Sequence, residues 1–292
     1  MFAMERRRFL RNSLAAASLM AFGRFPNHLY AAPVKRYASD RVTLGNSGIT
    51  VSRMAMGTGT NGFNKRSYQT DNLGIHGLAD WLEAAYDEDV IFWDSADQYG
   101  THPHLREALK RVPREKVVIL TKTHARTEAQ MKADLDRFRQ ELGTDYLDIV
   151  LLHNMQSSNW PEERRGAMDT LSQAKEDGIV RMHGVSCHRL GALKTAAKTD
   201  WVEIDLARIN LKGAIMDGSL GEVVPVLKEM KENGKVVMGM KIIGAGQLSH
   251  MVDDCLQFAL AQEYIDCFTI GTHDIDQFKD LVGRMPAASM RA

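Results

Sequence analysis

The chain has 292 residues, and its 37 Lys and Arg balance its 37 Asp and Glu, so there is no net formal charge. Such a balance offers no field to draw nucleic acid or an anionic membrane surface, and this length allows one large domain or two small ones. The three cysteines, Cys187, Cys255 and Cys267, show no CxxC spacing, which favours buried thiols over a disulfide framework.

The first segment in chain order is a leader. A basic cluster, Arg6-Arg7-Arg8 with Arg11, precedes an apolar stretch from Leu14 to Phe22. That stretch is far shorter than the roughly 20 residues a membrane-spanning helix needs, so no stable anchor is expected. The anatomy is that of a signal peptide. The order Arg6-Arg7-x-Phe9-Leu10 resembles the bacterial twin-arginine export signal, an address read by a receptor. Export to the periplasm in folded form follows, with cleavage near Ala31 or Ala32. A disordered basic leader on a cytoplasmic protein is the alternative. Residues 1–36 are therefore set apart from a folded domain over 37–292.

The folded part opens with a hairpin, "RVTLGNSGITVS", turning at Gly45-Asn46-Ser47-Gly48 between Val42/Leu44 and Ile49/Val51. Eight strand–helix pairs follow, from "SRMAMGT" and "GLADWLEAAYDED" to "CFTIGT" and "DQFKDLV". In "EAQMKADLDRFRQELG" the residues Met131, Leu135, Phe138 and Leu142 mark one helix face, and Gly143 stands where a C-cap glycine belongs. The strands are short and almost continuously apolar, as strands covered on both faces are. Eight such pairs in about 250 residues predict an α/β fold, a closed (β/α)8 TIM barrel, with the hairpin capping its lower end. An open doubly wound sheet is the competitor, but no GxGxxG opens the first helix.

In such a barrel the chemistry sits at the C-terminal ends of the strands. In chain order those ends carry Gly57-Thr58, Asp94 with Tyr99 just beyond it, Lys122, His153, Ser186-Cys187-His188, Asn210, Lys241 and Gly271-Thr272. A lysine in a barrel mouth needs a counter-charge, and Asp94 on the adjacent strand can supply it. An ammonium beside a phenol favours the ionised form, so Lys122 is expected to lower the pKa of Tyr99. His153 adds a donor or acceptor. The set suits proton donation to an oxygen that gains negative charge. Singly these residues are ordinary: a strand-end Asp is most often a helix cap, and a following Tyr is most often packing.

The motifs "LGNSGITVSRMAMGT", "DSADQY", "TKT", "DYLDIVLLH" and "HGVSCH" resemble, in order and spacing, those of the aldo-keto reductases, over roughly residues 41–284. The resemblance implies a catalytic tetrad of Asp94, Tyr99, Lys122 and His153. It implies reduction of a small-molecule carbonyl (an aldehyde, ketone or sugar) with NADP(H), or with NAD(H), bound without a Rossmann fold. Ser186 and Asn210 match positions that hold the nicotinamide carboxamide, and Gly271 with the start of the last helix matches the pyrophosphate and adenosine region. Gly57, Thr58, Lys241, Thr272 and Gln277 complete the cofactor-binding candidates. Three positions depart from the family pattern. Cys187 replaces an Asn, Met240-Lys241 stand where an aromatic commonly stacks on the nicotinamide, and only His273, Gln277 and Lys279 are offered where basic residues often grip a 2′-phosphate.

Two other functions stand beside this one. A metal-dependent hydrolase would use His102-x-His104 with Lys122, His153 and His188, although the His pair follows Gly100 in a loop where solvation is expected. A cofactor-binding barrel with a sensing role would keep the tetrad and turn over little. The barrel loops are short and show no decisive charge pattern, so the sequence leaves the substrate open.

Overall fold

A computed structural model of the protein describes residues 34–291. The Arg6-Arg7 signal and the apolar stretch after it lie outside the described residues. Strands β1 (Arg41–Thr43) and β2 (Thr50–Ser52) pair antiparallel, with Val42 opposite Val51. Eight parallel strands then close into a barrel: β3 (Met54–Gly57), β4 (Phe92–Asp94), β5 (Val118–Thr123), β6 (Leu147–Met155), β7 (Val180–Cys187), β8 (Ile204–Arg208), β9 (Val236–Met240) and β10 (Cys267–Ile270). Closure is made by β10, which pairs with β9 on one side and β3 on the other. Among the described residues no helix is long and apolar enough to cross a membrane.

The strands' continuous hydrophobicity separates into two sets of alternate residues. Ala55, Phe92, Val118, Leu120, Ile149, Leu151, Met182, Ile204, Leu206, Val236 and Met238 fill the barrel. The residues between them, such as Met56, Trp93, Ile119, Val150, Val185 and Val237, pack outward against the helices. A period of two does this, because successive side chains leave a strand on opposite faces. The hairpin belongs to the inner set: Leu44, Ile49 and Val51 are fully buried in the interior cluster, so the hairpin plugs the barrel.

The helices alternate with the strands. They are α1 (Tyr68–Asp87), α2 (His102–Ala108), α3 (Glu128–Leu142), α4 (Trp160–Glu163), α5 (Arg165–Glu176), α6 (Leu190–Lys198), α7 (Leu220–Glu232), α8 (Val252–Ala261) and α9 (Ile275–Ala288). Helix α3 has the form its spacing predicts. Thr127 and Gln130 make a capping box, Gly143 ends it at φ 68°, and Met131, Leu135, Phe138 and Leu142 are buried. Two helices differ from expectation. Helix α1 starts earlier, at a Ser67–Thr70 capping box, and is interrupted at Gly74, whose φ of 64° is not helical. The stretch read as one helix after β6 divides into α4 and α5 at Arg164. There the Arg164 guanidinium donates to the carbonyls of His124 and Ala125 at 2.7 and 3.1 Å, and Gly166 lies so close to α3 that a Cβ would sit 3.0 Å from the Glu128 nitrogen. The three cysteines are free and buried.

If the hairpin is a plug, truncating one of its fully buried residues opens a cavity in the barrel floor. Ile49→Ala should lower the unfolding free energy by about 2–5 kcal/mol, the usual cost of such a truncation, and urea denaturation measures it.

Candidate active site

In β4 to β8 the inward set of the strand ends in a polar residue at the C-terminal rim. Counting in twos from Phe92 reaches Asp94, from Leu120 reaches Lys122, and from Leu151 reaches His153. From Met182 the same count reaches Ser186, and from Leu206 it reaches Arg208. Asp94, Lys122, His153 and Ser186 are all buried.

Lys122 Nζ donates to Asp94 Oδ1 and, at 2.7 Å, to the Ser95 carbonyl. Its nitrogen also lies 4.9 Å from the centroid of the Tyr99 ring. Burial opposes the charge on Lys122, but Asp94 and Tyr99 together raise its pKa above the ordinary lysine value, so it stays an ammonium. The Asp94 backbone is fixed in turn by Thr58, whose N–H and hydroxyl both donate to the Asp94 carbonyl, at 3.0 and 2.9 Å.

Tyr99 ends a short 3-10 turn, Asp97–Tyr99, closed by Gly100 at φ 69°. The loop after β3 wraps the ring so tightly that a Cβ on Gly59 or Gly62 would lie 2.1 or 2.2 Å from ring carbons. Only glycine fits at those two positions with the phenol where it is. Burial raises the Tyr99 pKa, and the nearby ammonium offsets this only in part. This corrects the expectation of a lowered phenol pKa. The cation acts in the expected direction, but loss of water around the hydroxyl outweighs it.

His153 meets Tyr99 edge-on at 5.9 Å between ring centroids and stacks on His124 at 4.8 Å. Burial, with Lys122, His124 and His188 around it, holds its pKa well below the ordinary histidine value, so the imidazole is neutral. Its Nδ1 is buried and has no protein partner. The four residues of the expected tetrad thus meet at one point.

The expected cofactor residues divide. Ser186 lies on the same rim, fully buried, its Oγ accepting from the Asn154 N–H at 3.2 Å. Gly57 and Gly271 touch across the β3–β10 seam: a Cβ on Gly57 would lie 2.9 Å from the Gly271 nitrogen. The Thr272 carbonyl is held by Gln69 Nε2 at 2.9 Å. Gln277 sits in the first turn of α9, its N–H on Asp274 Oδ1 at 2.8 Å and its Oε1 on the His273 N–H. Asn210 is committed to its own loop. Its Nδ2 donates to the Ala214 and Lys241 carbonyls at 2.7 and 3.2 Å, and its Oδ1 accepts from the N–H groups of Lys212 and Ala214. Lys241 follows β9 at φ 60°.

Other expectations need correction. His102 and His104 are buried, not solvated. His102 bonds Glu141 at 2.6 Å and Thr121 at 2.7 Å, so both its ring nitrogens are engaged away from the mouth. With Asp97 and Glu141 it forms a cluster of ligand-type atoms, but Arg137 bonds both carboxylates, and its guanidinium stands in for a cation. Cys187 points outward into the helical layer, where burial pushes its thiol well above the usual value. A concavity of about 430 Å³ opens at the opposite end of the barrel beside Asn46, where Lys175 pairs with Glu203, Arg181 pairs with Asp148, and Lys235 donates to the Thr199 and Val202 carbonyls at 2.7 and 3.1 Å. Sequence reading missed Arg208, which the period of two along β8 could have found.

The fold and rim define a (β/α)8 barrel whose polar groups converge at the C-terminal ends of its strands. The chain belongs to the aldo/keto reductase family, whose model matches residues 54–264. It is 29% identical over 206 residues to the NAD/NADP-dependent indole-3-acetaldehyde reductase of Schizosaccharomyces pombe, covering 68% of this chain and 66% of that one. It is 32% identical over 175 residues to the versiconal hemiacetal acetate reductase of Aspergillus parasiticus, covering 49% of each. The chain spans about half to two thirds of the length of the curated relatives it matches. Among solved structures, the aldo-keto reductase AKR11C1 from Bacillus halodurans superposes with a TM-score of 0.69 at 16% identity, over 86% of this chain and 95% of that one.

Breaking a buried ion pair strands the surviving charge, whereas removing both charges does not. Asp94→Asn should therefore lower the unfolding free energy by about 3–5 kcal/mol, and adding Lys122→Met should restore part of it. Strictly additive losses in a urea double-mutant cycle would refute the coupling.

Proposed function

We propose that the protein is a carbonyl reductase that uses a nicotinamide dinucleotide, with Tyr99 as the general acid. The observation that carries this reading is the convergence of Lys122 on both Asp94 and Tyr99 at the rim. When bound, the nicotinamide would supply a hydride to the carbonyl carbon. Tyr99 gives its hydroxyl proton to the carbonyl oxygen as charge develops there. The Lys122 ammonium stabilises the phenolate left behind, and Asp94 keeps that ammonium in place. His153, being neutral, orients the carbonyl oxygen by hydrogen bonding without adding a second acid.

The mouth fits the nicotinamide end of such a cofactor. Ser186 Oγ and the unpartnered His153 Nδ1 offer polar groups inside it. Gly57, Thr58, Gly271, Thr272 and Gln277 would hold the remainder along the β3–β10 seam and the start of α9. Asn210 would act through the loop it organises. NADP(H) is the cofactor we assign, with Asp274 and Asp276 at the start of α9 narrowing its margin over NAD(H), because carboxylates oppose a 2′-phosphate.

We further propose that residues 1–36 direct export of the folded, nucleotide-loaded protein through the twin-arginine machinery to the periplasm. A non-covalent dinucleotide is gathered where it is made, and a ligand at a hundred times its Kd stabilises the fold by about 2.7 kcal/mol.

The purified protein should carry a nucleotide and reduce members of an aldehyde, ketone and sugar panel with NADPH, with NADH run in parallel. Tight nucleotide binding with negligible turnover would favour the sensing barrel instead. Tyr99→Phe should lower kcat by about 10²–10⁴ while leaving nucleotide affinity near wild type; a variant keeping over about a tenth of kcat removes Tyr99 from the role. The raised phenol pKa keeps the donor protonated through neutral pH, so reduction should fall only as pH rises into the alkaline range. Lys122→Met should move that limb higher still, as pH–rate profiles will show. Replacing Arg6 and Arg7 by Lys should strand the protein in the cytoplasm, which cell fractionation tests; unchanged export would refute the leader's role.

A further inference from the structure

The rim continues past His153 into groups that the tetrad does not use. His188 lies edge-on to His153 at 6.2 Å between ring centroids. Its Nδ1 accepts from the Arg208 guanidinium at 2.5 Å, which leaves Nε2 to carry the ring proton on the side of Ser186 Oγ, 3.5 Å away. Burial, with Arg208, Lys241 and Lys122 nearby, pushes the His188 pKa down to about 3, so the ring is a neutral N–H donor.

Charge around this arc is unbalanced. Asp94 neutralises Lys122, and Asp217 faces Arg208 at 3.5 Å. Lys241 is half-buried, and among the described residues no carboxylate lies within ion-pairing distance of it. Burial lowers its pKa, and Arg208 and Lys122 lower it further against the opposing pull of Asp94. Burial also raises Asp217 to about 6, so the acid that faces Arg208 holds its charge weakly. Lys241 keeps its φ of 60° because its carbonyl is held by Asn210 Nδ2 at 3.2 Å and the Gly244 N–H at 2.8 Å. A residue with a Cβ is kept there only when its surroundings enforce it, and such strain collects at functional sites.

We propose that Lys241, Arg208 and His188 form an anion subsite beside Tyr99, and that it receives the carboxylate of an oxo-acid substrate. The proposal rests on the reductase reading and names its substrate class. Tyr99 and His188 each meet the His153 ring edge-on, at 5.9 and 6.2 Å between centroids. The substrate class the proposal names is an ω-oxo acid, whose carboxylate stands several carbons from its carbonyl.

Succinic semialdehyde and butanal, alike in chain length and differing in the carboxylate, are the kinetic probes. Wild type should favour the acid at least about tenfold in kcat/KM, since a site built for a polar group rejects the analogue lacking it. Lys241→Met should collapse that ratio mainly through KM for the acid, and Lys241→Arg should keep it. Thermal unfolding of both variants checks that they fold. An unmoved ratio with weakened NADPH binding in calorimetry would assign Lys241 to the cofactor's pyrophosphate and overturn the proposal. Succinate, which is not turned over, tests the subsite apart from the reductase reading: calorimetric binding to wild type that is lost in Lys241→Met supports it, and equal or no binding overturns it.

Discussion

The buried contact between Lys122 and Asp94 organises the rim. An ammonium deep inside a barrel is tolerable only with a carboxylate beside it and its remaining protons occupied. Asp94 and the Ser95 carbonyl meet two of those demands, and the third side of the ammonium faces the Tyr99 ring. The same charge also acts outward: burial does most to lower the pKa values of His153, His188 and Lys241, and Lys122 adds to it at each. Removing Asp94 would therefore disturb groups it never touches.

Much of this was legible in the sequence because it depends on periodicity. Eight short apolar runs separated by amphipathic helices imply a closed barrel, and the hairpin's alternation shows which of its residues face inward. The convergence of Asp94, Tyr99, Lys122 and His153 was readable because each lies near the C-terminal end of a strand or in the turn after it. What stayed hidden depends on three-dimensional competition. The phenol's pKa turns on whether burial or the ammonium prevails, and spacing along the chain does not rank the two. Asn210 was found at its strand end, but its full commitment to the Ala214 loop is a matter of backbone geometry. The buried positions of His102 and His104 depend on Glu141 and Thr121, which lie far along the chain. Arg208 was within reach, being two residues past Leu206 on the inward face of β8.

The two ends of the barrel follow opposite physical rules. At the floor, Leu44, Ile49 and Val51 continue the apolar interior and exclude water. At the rim, the inward positions of β4 to β8 that would have continued the core carry polar groups instead. Such a layer costs stability, and the apolar layers beneath it offset that cost. Tight packing there keeps the tetrad in register, and the glycines at 59 and 62 allow the loop to close on the phenol without moving it.

The seam between β3 and β10 joins the first strand of the barrel to the last. Until β10 exists, β3 has an unpaired edge, and so does the last strand made. Such edges template pairing with other chains. Contacts so distant in sequence also form slowly, because a long loop must close before they can form. Closure of this barrel thus waits until β10 has been made. Chains interrupted before Cys267 would retain both open edges and be prone to aggregation, whatever the quality of the strands already in place.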